Sequence, residues 1–242
     1  MARGTTQIIP LETGEARNAP LANVLRVETN PVSLVGPSPT VDEWGRDARL
    51  ISVLAPIAHA RWDVAVGGQH HLRRGAALVV VNTRRFALTP VFTALALSEA
   101  LDRPARFAGR PDIVPFGPFL RRVGGLLADP DEIAGALRAG EIVVLGARAT
   151  RNPRHAGAID PALIAAAVRE HVPVHVAATL SSMISRQARV EVAAALRPRR
   201  KRRGPLAEVE LAEQAQRGLQ DLLDELGGTR TAVPGLGWLG EG

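Results

Sequence analysis

Apolar positions along this chain follow two rhythms. Some form short runs of β-branched and aliphatic residues; others recur every three or four residues over longer stretches. Residues 1–39 show neither. Rich in Pro, Asn, Thr and Gly, they read as an irregular N-terminal arm whose contact points would be Ile8, Ile9, Val32, Leu34 and Val35. Pattern begins at Thr40-Val41-Asp42-Glu43, which has capping-box spacing. Trp44, Leu50, Ile51, Leu54 and Ile57 follow at near-helical intervals, predicting a helix over Val41–Ala60. Strands are expected at Trp62–Val66 and Ala76–Asn82. The next helix should have Thr89 as cap and Pro90 as first residue, and run to Leu101. Proline suits that position because its missing N–H would have no partner there. Asp129-Pro130 repeats the device for a helix closed by Gly140, and Asp160-Pro161 for one ending near His171.

Between these lie β-rich runs at Ala105–Ala108, Leu126–Ala128, Ile142–Leu145 and Val172–Ala178, with one more candidate at Ala188–Leu196. A last helix fits Pro205–Leu226, before a tail over 227–242. Strands alternating with helices of this length argue for an α/β fold, a mostly parallel sheet with helices on its faces.

Composition narrows the chemistry. A chain of 242 residues, nearly half of them apolar, can bury a full core in one domain. Cysteine is absent, which excludes disulfides, thiolate metal sites and a cysteine nucleophile together. No pattern announces a metal site, and no cofactor is expected. The net charge is +6 and the pI about 11.2, and Lys201 is the sole lysine among the cations. That balance favours anionic partners. No apolar run reaches the roughly eighteen residues of a membrane span, and the N-terminus lacks the apolar core of a signal peptide. The expected setting is cytoplasmic, with room for a peripheral membrane association.

The stretch VVVNTRRFALTP, Val79 to Pro90, joins a strand to a helix start through a polar turn, the place where α/β enzymes commonly put their chemistry. Four blocks in order resemble the glycerol-phosphate and lysophospholipid acyltransferase family, over roughly Asp63 to Leu226. They are GGQHHLRRGAALVVVN, RFAGRPDIVPFGPFLRRVGGLLADP, GEIVVLGARATR and VREHVPVHVAATLSS. The resemblance implies a mixed, mainly parallel sheet flanked by helices, and an acyltransferase-like domain over 40–226. It also implies where chemistry should sit. The family carries Asn-His-x4-Asp: the histidine deprotonates an acceptor hydroxyl and the aspartate orients the imidazole. Here Asn82 matches, but Thr83 stands at the histidine position and Leu88 at the aspartate position. In the second block Asp129 matches the family and Pro130 replaces an arginine. In the third, Arg148 falls where the family has glutamate, while Thr150 and Arg151 keep their type. If that alignment slips by one residue, Ala147 takes the position; neither choice supplies a carboxylate.

Of the six histidines, His155 in TRNPRHAG is the one candidate for a relocated base, although no acid lies near it in sequence. His70 and His71 read as turn residues at the far end of the strand from Thr83. His59, His171 and His175 read as structural. With Asn82 and Thr150, the arginines Arg84, Arg85, Arg148 and Arg151 would line an anion-friendly ligand cleft. The run Arg197, Arg199, Arg200, Lys201, Arg202 and Arg203 puts six cations in seven residues. Such a run must face water or an anionic partner. At an acidic bilayer each cation is worth roughly 1 kcal/mol. Nucleic acid fits less well, since tyrosine is absent and no aromatics are interleaved for base stacking.

The expectation is therefore a catalytically impaired acyltransferase-like protein. It would bind a lipid, an acyl group, an acyl carrier or a protein partner, at an acidic membrane surface. The alternatives are an active acyltransferase with relocated residues and an arginine-driven nucleic-acid binder.

Overall fold

The computed structural model describes residues 40–228 apart from 62, 73–74, 84–87, 151, 153, 182–186 and 197–203. The chain divides into Met1–Gly36 and Pro37–Gly242, and all described residues belong to the second unit. The proposed contact points of the arm, Ile8, Ile9, Val32, Leu34 and Val35, lie outside the described residues, as do Arg84, Arg85, Arg151 and the basic run Arg197–Arg203.

Seven strands make one sheet: β1 (Asp63–Gly67), β2 (Ala77–Val81), β3 (Ala105–Ala108), β4 (Gly125–Leu126), β5 (Ile142–Gly146), β6 (Val174–Ser181) and β7 (Gln187–Val192). Their spatial order is β1-β7-β6-β2-β5-β3-β4. From β6 to β4 all neighbours are parallel. β7 turns back antiparallel to β6, and β1 lies parallel to β7, so these two strands at one side of the sheet run against the rest. This is the mixed, mainly parallel α/β architecture expected. β1 and β2 follow one another in the chain as expected, but β7 and β6 stand between them in the sheet.

The helices are α1 (Ala48–Arg61), α2 (Thr89–Ala100), α3 (Phe116–Arg122), α4 (Pro130–Arg138), α5 (Pro161–Arg169) and α6 (Pro205–Gly228). Asp129 caps α4 as its sequence promised, its carboxylate accepting from the N–H groups of Asp131 and Glu132 at 2.8 and 3.0 Å; Asp160 does the same for α5 at Ala162 N–H, 3.0 Å. α1 starts later than the capping-box spacing suggests. Asp42 accepts from Trp44 and Arg46 N–H in a turn, and Asp47 caps the helix through Arg49 and Leu50 N–H. α2 begins at Thr89, with Leu88 rather than Thr89 as its cap residue and no side-chain capping bond. α3 was not anticipated, since its residues FGPFLRR combine Gly and Pro in a poor helix former.

The core has two sides. Leu78, Val80, Val143, Leu145, Val174 and Val176 point to one face and meet Ile133 and Leu137 of α4, Ile164 of α5 and Leu211, Leu219 and Leu223 of α6. Val79, Val81, Phe107, Ile142 and Val144 point to the other and meet Ala94, Ala96 and Leu97 of α2. Both faces of β2 are therefore covered, and its five residues are all buried. That is why it reads as a continuous apolar run.

Candidate functional site

The carboxyl ends of β2, β5 and β6 meet at one place, and the sequence-matched residues gather there. Asn82, directly after β2, is buried. Its amide oxygen accepts from Thr179 N–H at 2.7 Å and its amide nitrogen donates to Thr179 O at 3.0 Å, tying the end of β2 to β6. The hydroxyls of Thr179 and fully buried Thr93 lie 2.9 Å apart beneath it. A primary amide can match a backbone N–H and C=O at once because it carries a donor and an acceptor side by side. In the structure the Asn82 side chain thus serves as a strand brace.

Thr83 follows. Its carbonyl accepts from Thr150 N–H at 3.3 Å, while its hydroxyl is buried with no hydrogen-bond partner. Gly146, the last residue of β5, makes room for this contact. A Cβ there would stand 2.7 Å from Thr83 Oγ1 and 2.9 Å from Pro90 Cγ, so any side chain would force the β2 turn and the start of α2 apart. Leu88 is 53% exposed at the mouth of α2. Thr83, Thr150 and Gly146 are thus brought together, with a hydroxyl and a hydrocarbon at the two positions matched to the family's base and its helper.

The loop after β5 carries the remaining candidates. Arg148 is exposed, and its N–H donates to Ala158 O at 2.8 Å. The Thr150 hydroxyl lies 2.8 Å from Asn152 O and 3.1 Å from His155 O, one hydrogen shared between two acceptors. His155 itself is exposed, and among the described residues nothing hydrogen-bonds or ion-pairs with its ring. Sequence reasoning missed what holds this loop. Gln220 of α6 accepts from Ala156 N–H at 2.9 Å and donates to Arg154 O at 2.9 Å, so the His155 segment is fastened to the α6 side of the sheet.

The other histidines are elsewhere. His70 and His71 lie with ring centroids 4.0 Å apart and planes tilted by 45° in a single turn after β1. The last residue of β1, Gly67, pairs with Glu191 and through it with Ala178, level with the end of β2, so the turn is parted from Thr83 by β7 and β6 and not by the length of a strand. His175 on β6 is buried, its Nδ1 3.0 Å from Ala193 O. Burial, more than the opposing carbonyl, pushes its pKa below the ordinary 6.5, and His71 nearby pushes the same way. Among the described residues no group of three metal-ligating side chains converges, and no helix is long and apolar enough to cross a membrane.

A second feature was not legible in sequence. Between α1 and α2, floored by β1, lies a slot of about 710 Å³. Its walls include Ile51, Leu54, Phe92, Leu95 and Val64, and Arg46 and Val123 close one end. Behind Arg46 sits Arg106 of β3, only 1% exposed, donating through Nη2 to Asp42 at 2.6 Å and Glu141 at 3.2 Å. The Trp44 ring lies 5.9 Å from the Arg106 guanidinium carbon, a cation–π contact. The alternation of β3, Ala-Arg-Phe-Ala, was the available signal: a charged residue at an inward strand position must find partners.

Comparison with known proteins agrees with the architecture. No protein-family model matches the chain, and none of the curated proteins matches it. Among solved structures, the 1-acyl-sn-glycerophosphate (LPA) acyltransferase PlsC from Thermotoga maritima is similar, with a TM-score of 0.55 and 14% identity, covering 74% of this chain and 79% of that one. The fold is acyltransferase-like.

Proposed function

We propose that this chain uses an acyltransferase-like scaffold to hold a lipid or acyl ligand without transferring it. The observation that carries the reading is the pair of positions at the end of β2. Thr83 presents a buried hydroxyl with no partner, and Leu88 presents an exposed hydrocarbon. A threonine hydroxyl does not accept protons near neutral pH, and general base catalysis contributes about 10²–10⁴-fold. His155, the alternative base, has no acid to orient it among the described residues and belongs to a loop fastened to α6. The slot between α1 and α2 supplies the binding half of the reading, since ligand sites typically span roughly 300–1,000 Å³ with apolar walls.

The setting we propose is an acidic membrane surface. Ile113, Val114, Phe116 and Phe119 are 61, 84, 60 and 45% exposed on one crest leading into α3, and Arg121 and Arg122 follow them, also exposed. Apolar side chains beside cations suit a headgroup boundary, and the basic run Arg197–Arg203 would add to the attraction.

The test is direct. Given acyl-CoA and lysophosphatidate, the purified protein should release no thiol above background; sustained turnover overturns the proposal. Flotation with liposomes should require acidic lipid and weaken when Arg199, Arg200, Arg202 and Arg203 become Ser. A salt-sensitive shift with arbitrary DNA, and none with liposomes, would favour the nucleic-acid reading instead.

A further inference from the structure

Arg46 is the unusual member of the slot. It is half-buried, its Nε is shut off from water, and among the described residues no acceptor hydrogen-bonds any part of its guanidinium. The two carboxylates nearest in charge, Asp42 and Glu141, bond the Arg106 guanidinium, and the other Asp42 oxygen takes the backbone N–H groups of Trp44 and Arg46, so neither accepts from the Arg46 guanidinium. Buried guanidinium groups ordinarily find acceptors, and each missing bond carries a desolvation penalty. Trp44 Nε1, Arg106 Nε and Arg106 Nη1 are also buried and unpartnered in this corner, so every orphaned group there is a donor. Burial first, and the Arg106 charge second, lower the Arg46 pKa from its ordinary value, against the opposing pull of Asp42 and Glu141.

The remaining charged lining residues do not match it. Asp63 and Glu99 are exposed at the slot's rim, and neither forms an ion pair with Arg46. Arg46 packs its stem near Gly124, where α2 has ended and β3 begins; a Cβ on Gly124 would sit 3.5 Å from Arg46 Cδ. α2 runs from the Thr83 end of the sheet towards this corner, so Phe92 lines the slot at the end nearer Thr83 and Arg46 closes the opposite one.

We propose that the slot takes a free single-chain fatty carboxylate, with the carboxylate on the Arg46 guanidinium and the hydrocarbon running along Leu54, Leu95 and Phe92 towards the β2 turn. This rests on the reading above that the slot holds an acyl ligand, and adds its chemical class and direction. The charged head lies at the far end from Thr83, the reverse of what a transfer reaction at that turn would need. An arginine fork matches a carboxylate in two hydrogen bonds, and half-buried apolar walls gain by covering a chain.

The experiment uses the full chain stripped of lipid, titrated with palmitate and with hexadecanol, which shares the chain length and lacks the charge. Palmitate should bind about tenfold or more tightly than the alcohol, the scale of one charge-assisted pair. Arg46→Gln should remove that preference and leave hexadecanol binding unchanged, and Arg46→Lys should keep part of it. Leu95→Trp, which fills the slot without touching Arg46, should weaken both ligands alike. Equal affinity for the two ligands, or a preference that survives Arg46→Gln, overturns the inference and leaves the acyl-binding reading standing. Binding of neither ligand by the unaltered chain overturns both.

Discussion

On one face of the sheet, α4, α5 and α6 close over Leu78, Val80, Val143 and Leu145, each 3% exposed or less. On the other, α2 supplies the tight contacts. α1 stands off: none of its described side chains is buried, Val53 is 67% exposed, and Pro56 interrupts its hydrogen-bond ladder. The slot occupies the space that α1 leaves. A domain can keep an unfilled cavity only where the rest of its packing carries the stability. The three-helix face does that here, so the α1 face is free to hold something else.

Substitutions should therefore act unequally on the two faces. Leu219→Ala, in the sealed core, should destabilise by about 2–5 kcal/mol. Leu54→Ala in the slot wall, already half in solvent, should cost under about 1 kcal/mol. Urea midpoints at equal slope would show the gap, and equal costs would erase the distinction between the faces. Arg106→Ala should come next, at about 2 kcal/mol. That is below the roughly 3–5 of a fully buried pair, because Asp42 and Glu141 keep access to water and can be resolvated.

Asn82→Ala should cost about 1–2 kcal/mol by unpairing Thr179. Asn82→Asp should be no better, since it restores the acceptor and sets a carboxylate oxygen against Thr179 O; thermal unfolding of both variants checks this. The smallest effect concerns pH. His175 has a folded pKa below its unfolded value, so the unfolded chain binds more protons at acidic pH. Its contribution is fully present above about pH 6.5 and is lost as pH falls through the folded value. His175→Gln should flatten that part of the stability profile.

Local signals explain what the sequence made legible. The all-apolar run of β2 and the Asp-Pro starts of α4 and α5 each depend on neighbours within a few residues, and each stands where expected. The late start of α1 depends on Asp42 folding back on Trp44 and Arg46, a choice left ambiguous by two capable Asp residues, Asp42 and Asp47, in the same stretch. Separation of β1 from β2 follows from β7, a strand more than a hundred residues later. Thr83 and Leu88 could be matched by spacing to a known motif. The slot could not, because Arg46, Leu54 and Phe92 come to line one cavity only in the folded chain.

One glycine limits what the end of β2 can carry. Thr83 and Pro90 occupy the space that a side chain at position 146 would need, so the floor of the turn depends on that residue having none. A larger side chain at position 83 therefore has to keep clear of Gly146 and Pro90. Whatever occupies that turn, its outline is set from below by a residue on the neighbouring strand.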